Sequence, residues 1–244
     1  MLRNLPNLIT LLNLLAGSAS IVALLKGDEV LAFWLLFVAV FADYFDGLVA
    51  RLLKVYSPLG GQLDSLSDMV SFGLAPGMIV YSMISRHPLV ASDAAVNLWA
   101  LPAFLITLLS AVRLGRFNLD TGQSKEFRGL PTPASTTYFA GLMLIGYYNS
   151  FQMGWLVESL PFLYLSTLVF SYLLIAPFPM FHLKTTDFGW RGNELRYSFI
   201  LIVLLLVILL REAAFSTVIV VYCLLSLIRN KKTKHALPRS YTDR

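Results

Sequence analysis

Charge is scarce in this sequence, and so are cysteine and histidine. Of 244 residues 14% are charged and 57% hydrophobic, and mean hydropathy is +0.70. An average soluble domain is about 25% charged, so an ordinary soluble domain is excluded. The single Cys223 lies within an apolar run, which argues against a disulfide framework. His87, His182 and His235 stand far apart, and a histidine metal site is not expected. Walker and dinucleotide glycine motifs are both missing, so a nucleotide held by a glycine-rich loop is not indicated.

What the sequence has instead is long apolar runs. A membrane-crossing helix needs about 20 apolar residues, and such runs fall near 5–25, 29–53, 62–85, 96–118, 132–150, 158–177, 195–210 and 213–228. The fold expected is all-α: a polytopic membrane helix bundle of about eight transmembrane helices. The net charge of +5 follows from where the bases sit, and nucleic acid is not an expected partner. With a cytoplasmic N-terminus, Arg3, Arg51, Lys54, Arg113, Arg116 and the basic tail face inward, and Lys26, Arg86 and Arg211 fall outside. That imbalance sets both termini in the cytoplasm. Arg3, the following apolar run and Ala16-Gly-Ser-Ala19 imitate a secretory signal, but seven further spans follow and the first helix is expected to stay.

One stretch breaks the apolar pattern. Asp43-Tyr-Phe-Asp46-Gly47-Leu-Val-Ala50-Arg51 is followed by Asp64-Ser-Leu-Ser-Asp68. On a helix Asp43, Asp46, Gly47, Ala50 and Arg51 share one face, and Asp64 and Asp68 share a face of the next. The second helix runs inward and the third outward, so topology brings the four acids to one depth near the cytoplasmic boundary. Unpaired, they would be costly there. Four carboxylates suit one or two hard cations such as Mg²⁺ or Mn²⁺, which neutralise a diphosphate during phosphoryl transfer. An intramembrane salt-bridge cluster with Arg51 and Lys54 would leave acids in excess. A divalent-cation transporter also uses buried carboxylates, but no second set lies towards the outside. Read alone, Pro6, Asn7, Thr10 and Asn13 of the first helix are cap and helix-packing polars. Ser57-Pro58-Leu-Gly60-Gly61 reads as a turn-rich link, and a kink is expected at Pro76.

The spacing Asp43-x2-Asp46-Gly47-x2-Ala50-Arg51-x8-Gly60-x3-Asp64-x3-Asp68 resembles, position for position, the signature of the CDP-alcohol phosphatidyltransferases. The resemblance implies a membrane enzyme that moves a phosphatidyl group from a CDP-linked lipid to an alcohol, with CMP leaving. It implies that Asp43, Asp46, Asp64 and Asp68 hold a pair of Mg²⁺ or Mn²⁺ ions, and that Asp68 is also the catalytic base. Asn7, Thr10, Asp43, Gly47, Ala50, Arg51 and Gly60 would contact the CDP-lipid. Ser71-Phe-Gly-x-Ala75-Pro76, Arg113-Leu-x-Arg116-Phe-Asn118 and Phe127-x-Gly129-Leu-Pro131-x-Pro133-Ala134 are similar to the phosphatidylserine synthase branch. Gly115 departs from it, where Ala is expected. Arg113, Arg116 and Asn118 would then bind the acceptor or its phosphate.

By that resemblance the expected reaction joins CDP-diacylglycerol and L-serine, in a homodimer in a prokaryotic cell membrane with its active site facing the cytoplasm. Glycerol 3-phosphate or inositol phosphate are the alternative acceptors. Residues 1–180 would form a six-helix catalytic core, residues 181–229 two additional lipid-facing helices, and residues 230–244 a basic cytoplasmic tail.

Overall fold

The computed structural model describes residues 4–55, 57–119, 129–177 and 194–236, with side chains described for all of these except 194–200 and 228–236. Phe127 and Arg128 of the proline-glycine motif, most of the polar loop after His182 and the tail beyond 236 lie outside the described residues. The described residues hold helices and connecting turns, without strands. In chain order the α-helices are α1 (Leu5–Leu25), α2 (Glu29–Leu53), α3 (Pro58–Asp68), α4 (Ala75–Ser85), α5 (Leu105–Leu119), α6 (Thr132–Tyr148), the short α7 (Gly154–Val157), α8 (Leu160–Ile175), α9 (Glu194–Leu210) and α10 (Ala214–Ala236).

Five helical stretches among the described residues are long and apolar enough to cross a membrane: Leu5–Leu25, Glu29–Leu53, Pro58–Ser85, Leu98–Leu119 and Leu201–Leu227. This is an integral membrane protein by those criteria, and the expected number of eight goes beyond what they establish. In α1 the buried face carries Pro6, Thr10, Asn13, Gly17 and Ser20, while Leu8, Leu15, Val22 and Leu25 are exposed. A water-soluble helix would do the reverse. α6 is enclosed almost all round, with Phe139 and Met143 among the most buried side chains, and α2, α4 and α10 pack on it.

Small residues set the close approaches. A Cβ on Gly17 would collide with Ser71, and one on Gly141 would lie 2.7 Å from the backbone nitrogen of Ser216 in α10. Packing of this kind holds helices together where lipid removes the hydrophobic drive. The segments also differ from expectation in two places. α3 begins at Pro58, capped by the Ser57 hydroxyl on the Gly60 amide at 2.9 Å, so Gly60 and Gly61 are helical. Ser followed by Pro is a helix start as well as a turn. The disturbance expected at Pro76 lies earlier, in a π-helical turn from Met69 to Leu74, and Pro76 sits in the first turn of α4. At the far end of the same rod Arg86 is ion-paired with buried Glu29 at the start of α2.

Candidate active site

α2 packs antiparallel on α1, and α3 lies parallel to α1, Asn7 facing Gly60 and Asn13 facing Asp68 and Ser71, so the acidic stretch lies against the polar face of the first helix. Asp43, Asp64 and Asp68 converge, each offering a carboxylate oxygen within 4.8 Å of the other two. Asp46 does not join this group. Its Oδ2 instead accepts a hydrogen bond of 2.6 Å from Thr10, and it is buried. The four acids are thus a triad with a fourth member turned towards α1.

No ion pair among the described residues joins these acids to Arg51, Lys54 or any other base. Arg51 turns back on its own helix, its Nε donating to the Gly47 carbonyl at 2.8 Å. The salt-bridge cluster weighed against a metal site therefore does not form there. Three carboxylates about 5 Å apart repel by ~3 kcal/mol per pair at an effective dielectric of about 20. All-oxygen ligands at that spacing fit a hard divalent cation, and the triad could hold one. A buried acceptor beside it points the same way. Asn13 is 0% exposed; its Nδ2 donates to Asp68 Oδ1 at 3.3 Å, and its Oδ1 has no partner among the described residues.

A cavity of about 460 Å³ opens next to Asp64, lined by residues of α1, the second half of α2 and the start of α3. Asn7, Thr10, Gly47, Ala50 and Gly60 line it together with Asp46. Arg51 and Asp43 are not among its lining residues. A Cβ on Gly60 would lie 3.0 Å from both Asn7 Oδ1 and Ser57 Oγ, so glycine there keeps one wall open.

The α5 residues divide. Arg113 is half-buried within electrostatic reach of Asp68 and of Tyr222 on α10, and its Nε has no hydrogen-bond partner among the described residues. Asn118 exchanges hydrogen bonds with Ser65, the shorter 2.9 Å, next to Asp64 in sequence. Arg116 is exposed, so the shared face anticipated for the two arginines is enclosed at one and open at the other. The reading of the last helices as lipid-facing scaffold needs correction for α10. Its Ser216 hydroxyl donates to the Tyr138 carbonyl at 2.8 Å, and it brings Tyr222 towards Arg113. Asn13, read as a packing polar, instead touches the acid centre. Its spacing of three from Thr10 was the available signal.

Fold and site together define a helical membrane protein with a carboxylate centre suited to a divalent cation beside a cavity bordered by Asn7, Thr10, Asp46 and Asp64. Residues 3–174 match the family described as CDP-alcohol phosphatidyltransferase, and the chain belongs to that family of transferases. It is 33% identical over 167 residues to an archaetidylserine synthase of Methanothermobacter thermautotrophicus, covering 67% of this chain and 68% of that one. It is 34% identical over 140 residues to a CDP-diacylglycerol–serine O-phosphatidyltransferase of Bacillus subtilis, covering 57% of this chain and 72% of that one. A relative of the same name from Mycobacterium leprae is 34% identical over 194 residues, covering 76% of this chain and 61% of the relative.

Proposed function

We propose that this protein transfers the phosphatidyl group of CDP-diacylglycerol to the hydroxyl of L-serine and releases CMP, at a site facing the cytoplasm of a prokaryotic cell. The observation that carries the reading is the meeting of Asp43, Asp64 and Asp68 beside the cavity lined by Asn7, Thr10, Asp46, Gly47, Ala50 and Gly60. The cavity receives the cytidine diphosphate; Arg51, which does not line it, follows the lining residue Ala50 on α2 and would have to leave the Gly47 carbonyl to reach the diphosphate. The names of the relatives differ in the lipid and agree on serine, which supports the acceptor.

Asp43, Asp46, Asp64 and Asp68 would hold two ions, Mg²⁺ or Mn²⁺. When bound, these ions neutralise the diphosphate and stabilise charge building on the phosphorus under attack. The chain's own work is proton transfer and placement. Asp68 takes the proton of the serine hydroxyl; the serine oxygen forms a bond to the phosphatidyl phosphorus, and the bond from that phosphorus to the CMP oxygen breaks with its electron pair leaving on CMP. Arg113 holds the serine carboxylate through paired hydrogen bonds, with Arg116 and Asn118 nearer the cytoplasmic opening.

Residues 1–180 form the catalytic core in this reading, which the end of the family match at residue 174 supports. Residues 181–229 add two helices, residues 230–244 a basic tail, and the protein works as a homodimer. The decisive experiment is CMP release by purified protein with Mn²⁺ and diacyl or diether CDP-lipid, offering serine, glycerol 3-phosphate, inositol phosphate and choline separately. Release with serine alone is expected. Release with another acceptor instead keeps the acid centre and rejects serine, whereas no release combined with Mn²⁺ flux into sealed liposomes would favour the transporter.

A further inference from the structure

The interior of this protein holds several hydroxyl and amide groups, and most have partners. Thr10 donates to Asp46, and Thr107, Thr136 and Ser71 donate to backbone carbonyls of neighbouring segments. Asn13 is different because half of one amide group is satisfied and half is not. Its Nδ2 donates to Asp68 Oδ1 at 3.3 Å, and its Oδ1 is buried without a donor among the described residues. Beside an ionised Asp68, as a bound cation requires, the amide presents its N–H side to the carboxylate oxygen. Asn13 is also fixed along α1. Ser71 donates to its backbone carbonyl at 3.1 Å, and Ser67 donates to the carbonyl of Thr10 at 3.1 Å. These two bonds lock the face of α1 to the segment carrying Asp68.

An amide oxygen buried without a donor is costly, about 1–3 kcal/mol. Here it lies on the group that touches the acid triad, where a hydrated divalent cation would supply donors. We propose that Asn13 is a positioning residue of the cation centre: its N–H side fixes the rotation of Asp68, and its oxygen accepts from the hydration shell of the bound ion. This rests on the reading of the triad as a metal site and adds a residue from the first helix to it. Outer groups of this kind commonly change metal affinity by about 10- to 100-fold when removed.

The test is a Mn²⁺ titration of the full chain in detergent, followed by the loss of the free-ion electron paramagnetic resonance signal, with metal-free thermal unfolding alongside. Asn13→Leu is expected to bind Mn²⁺ about 10- to 100-fold more weakly than wild type. Asn13→Asp, which keeps an oxygen at that place but loses the N–H that holds Asp68, is expected to bind Mn²⁺ with an affinity between those of wild type and Asn13→Leu. A purely structural role would lower the metal-free unfolding temperature and leave the affinity alone. Asn13→Leu within twofold of wild type, or Asn13→Asp as weak as Asn13→Leu, would overturn the proposal. If Asn13→Leu does not fold, Asn13→Asp decides it alone, by binding more weakly than wild type or not. Wild-type protein that binds no Mn²⁺ would overturn the metal reading and this inference together, whereas tight binding unaffected by either variant removes only the inference.

Discussion

The hydroxyl of Thr10 lies 2.6 Å from Oδ2 of Asp46, joining the first helix to the second inside the wall of the cavity. This contact explains why Asp46 stands apart from the other three acids. A hydrogen bond to a charged acceptor is worth about 1.5–3 kcal/mol, or roughly 10- to 100-fold in a rate or affinity. Thr10→Val is therefore expected to lower kcat/KM for the CDP-lipid by roughly 10- to 100-fold. Thr10→Ser, which keeps the hydroxyl, should stay within a few-fold. Initial rates of CMP release against CDP-lipid concentration measure both.

Asp68 is asked to do more than hold an ion, and its neighbours allow the two tasks to be separated. One of its oxygens is engaged by Asn13, and Asp43 and Asp64 each bring a carboxylate oxygen within 4.8 Å of it. Asp68→Asn is expected to lose about 10²–10⁴-fold in kcat, the usual contribution of a general base, while still binding Mn²⁺. Asp43→Asn should instead raise the Mn²⁺ concentration needed for half-maximal activity. A chelator should abolish CMP release from wild type, with Mn²⁺ restoring it. Turnover of Asp68→Asn near the wild-type rate would assign the base elsewhere.

The helical rods were legible because lipid-crossing segments must be long and apolar. The bounds of α1, α2 and α6 lie within two residues of the apolar runs, whereas α5 begins only at Leu105, after a 3-10 helical stretch from Leu98 to Phe104 that the run near 96–118 did not distinguish. The π turn at Met69–Leu74 was not legible, since one wider turn leaves no mark in composition. Carboxylates in an apolar run stood out because they have no packing use. Their division into Asp43, Asp64 and Asp68 against Asp46 was hidden, because it depends on how α1 lies across both helices. Asn13 was missed for the same reason. Its partner is 55 residues away, and an amide in a membrane helix ordinarily packs helices together. The role of α10 was masked by its Leu, Ile and Val content, which cannot tell a lipid face from a face against α6.

Gly60 keeps the cavity open through what it omits. A Cβ there would stand 3.0 Å from Asn7 Oδ1 and Ser57 Oγ, tight enough to push Asn7 out of line or weaken the cap of α3. Gly60→Ala is expected to raise KM for the CDP-lipid about tenfold, within the range that about 1–3 kcal/mol of overpacking produces. The KM for serine should be unchanged if the acceptor binds at Arg113 on α5, as proposed. Steady-state rates with each substrate varied in turn give the comparison.

At Gly141 the same omission serves packing alone. Its missing Cβ leaves room for Ser216 and Phe215 of α10. Gly141→Ala should destabilise the protein by about 1–3 kcal/mol and lower its unfolding temperature in detergent, while the KM values of the folded fraction stay near wild type. A change in serine KM without loss of stability would mean that α10 bears on the acceptor more directly than packing requires.

Arg113 offers the sharpest test of the acceptor side. It is half-buried, within electrostatic reach of Asp68, and its Nε lacks a partner among the described residues. A guanidinium binds a carboxylate through two parallel hydrogen bonds that an ammonium cannot reproduce. Arg113→Lys keeps the charge and loses that fork. If the missing partner is the serine carboxylate, this variant raises the KM for serine about tenfold or more and leaves the KM for the CDP-lipid within a few-fold. If the arginine instead serves the phosphate of the donor, the two effects exchange places. Arg116→Lys, at an exposed position, should change either constant by less, because an arginine open to water gives up little binding when its fork is lost.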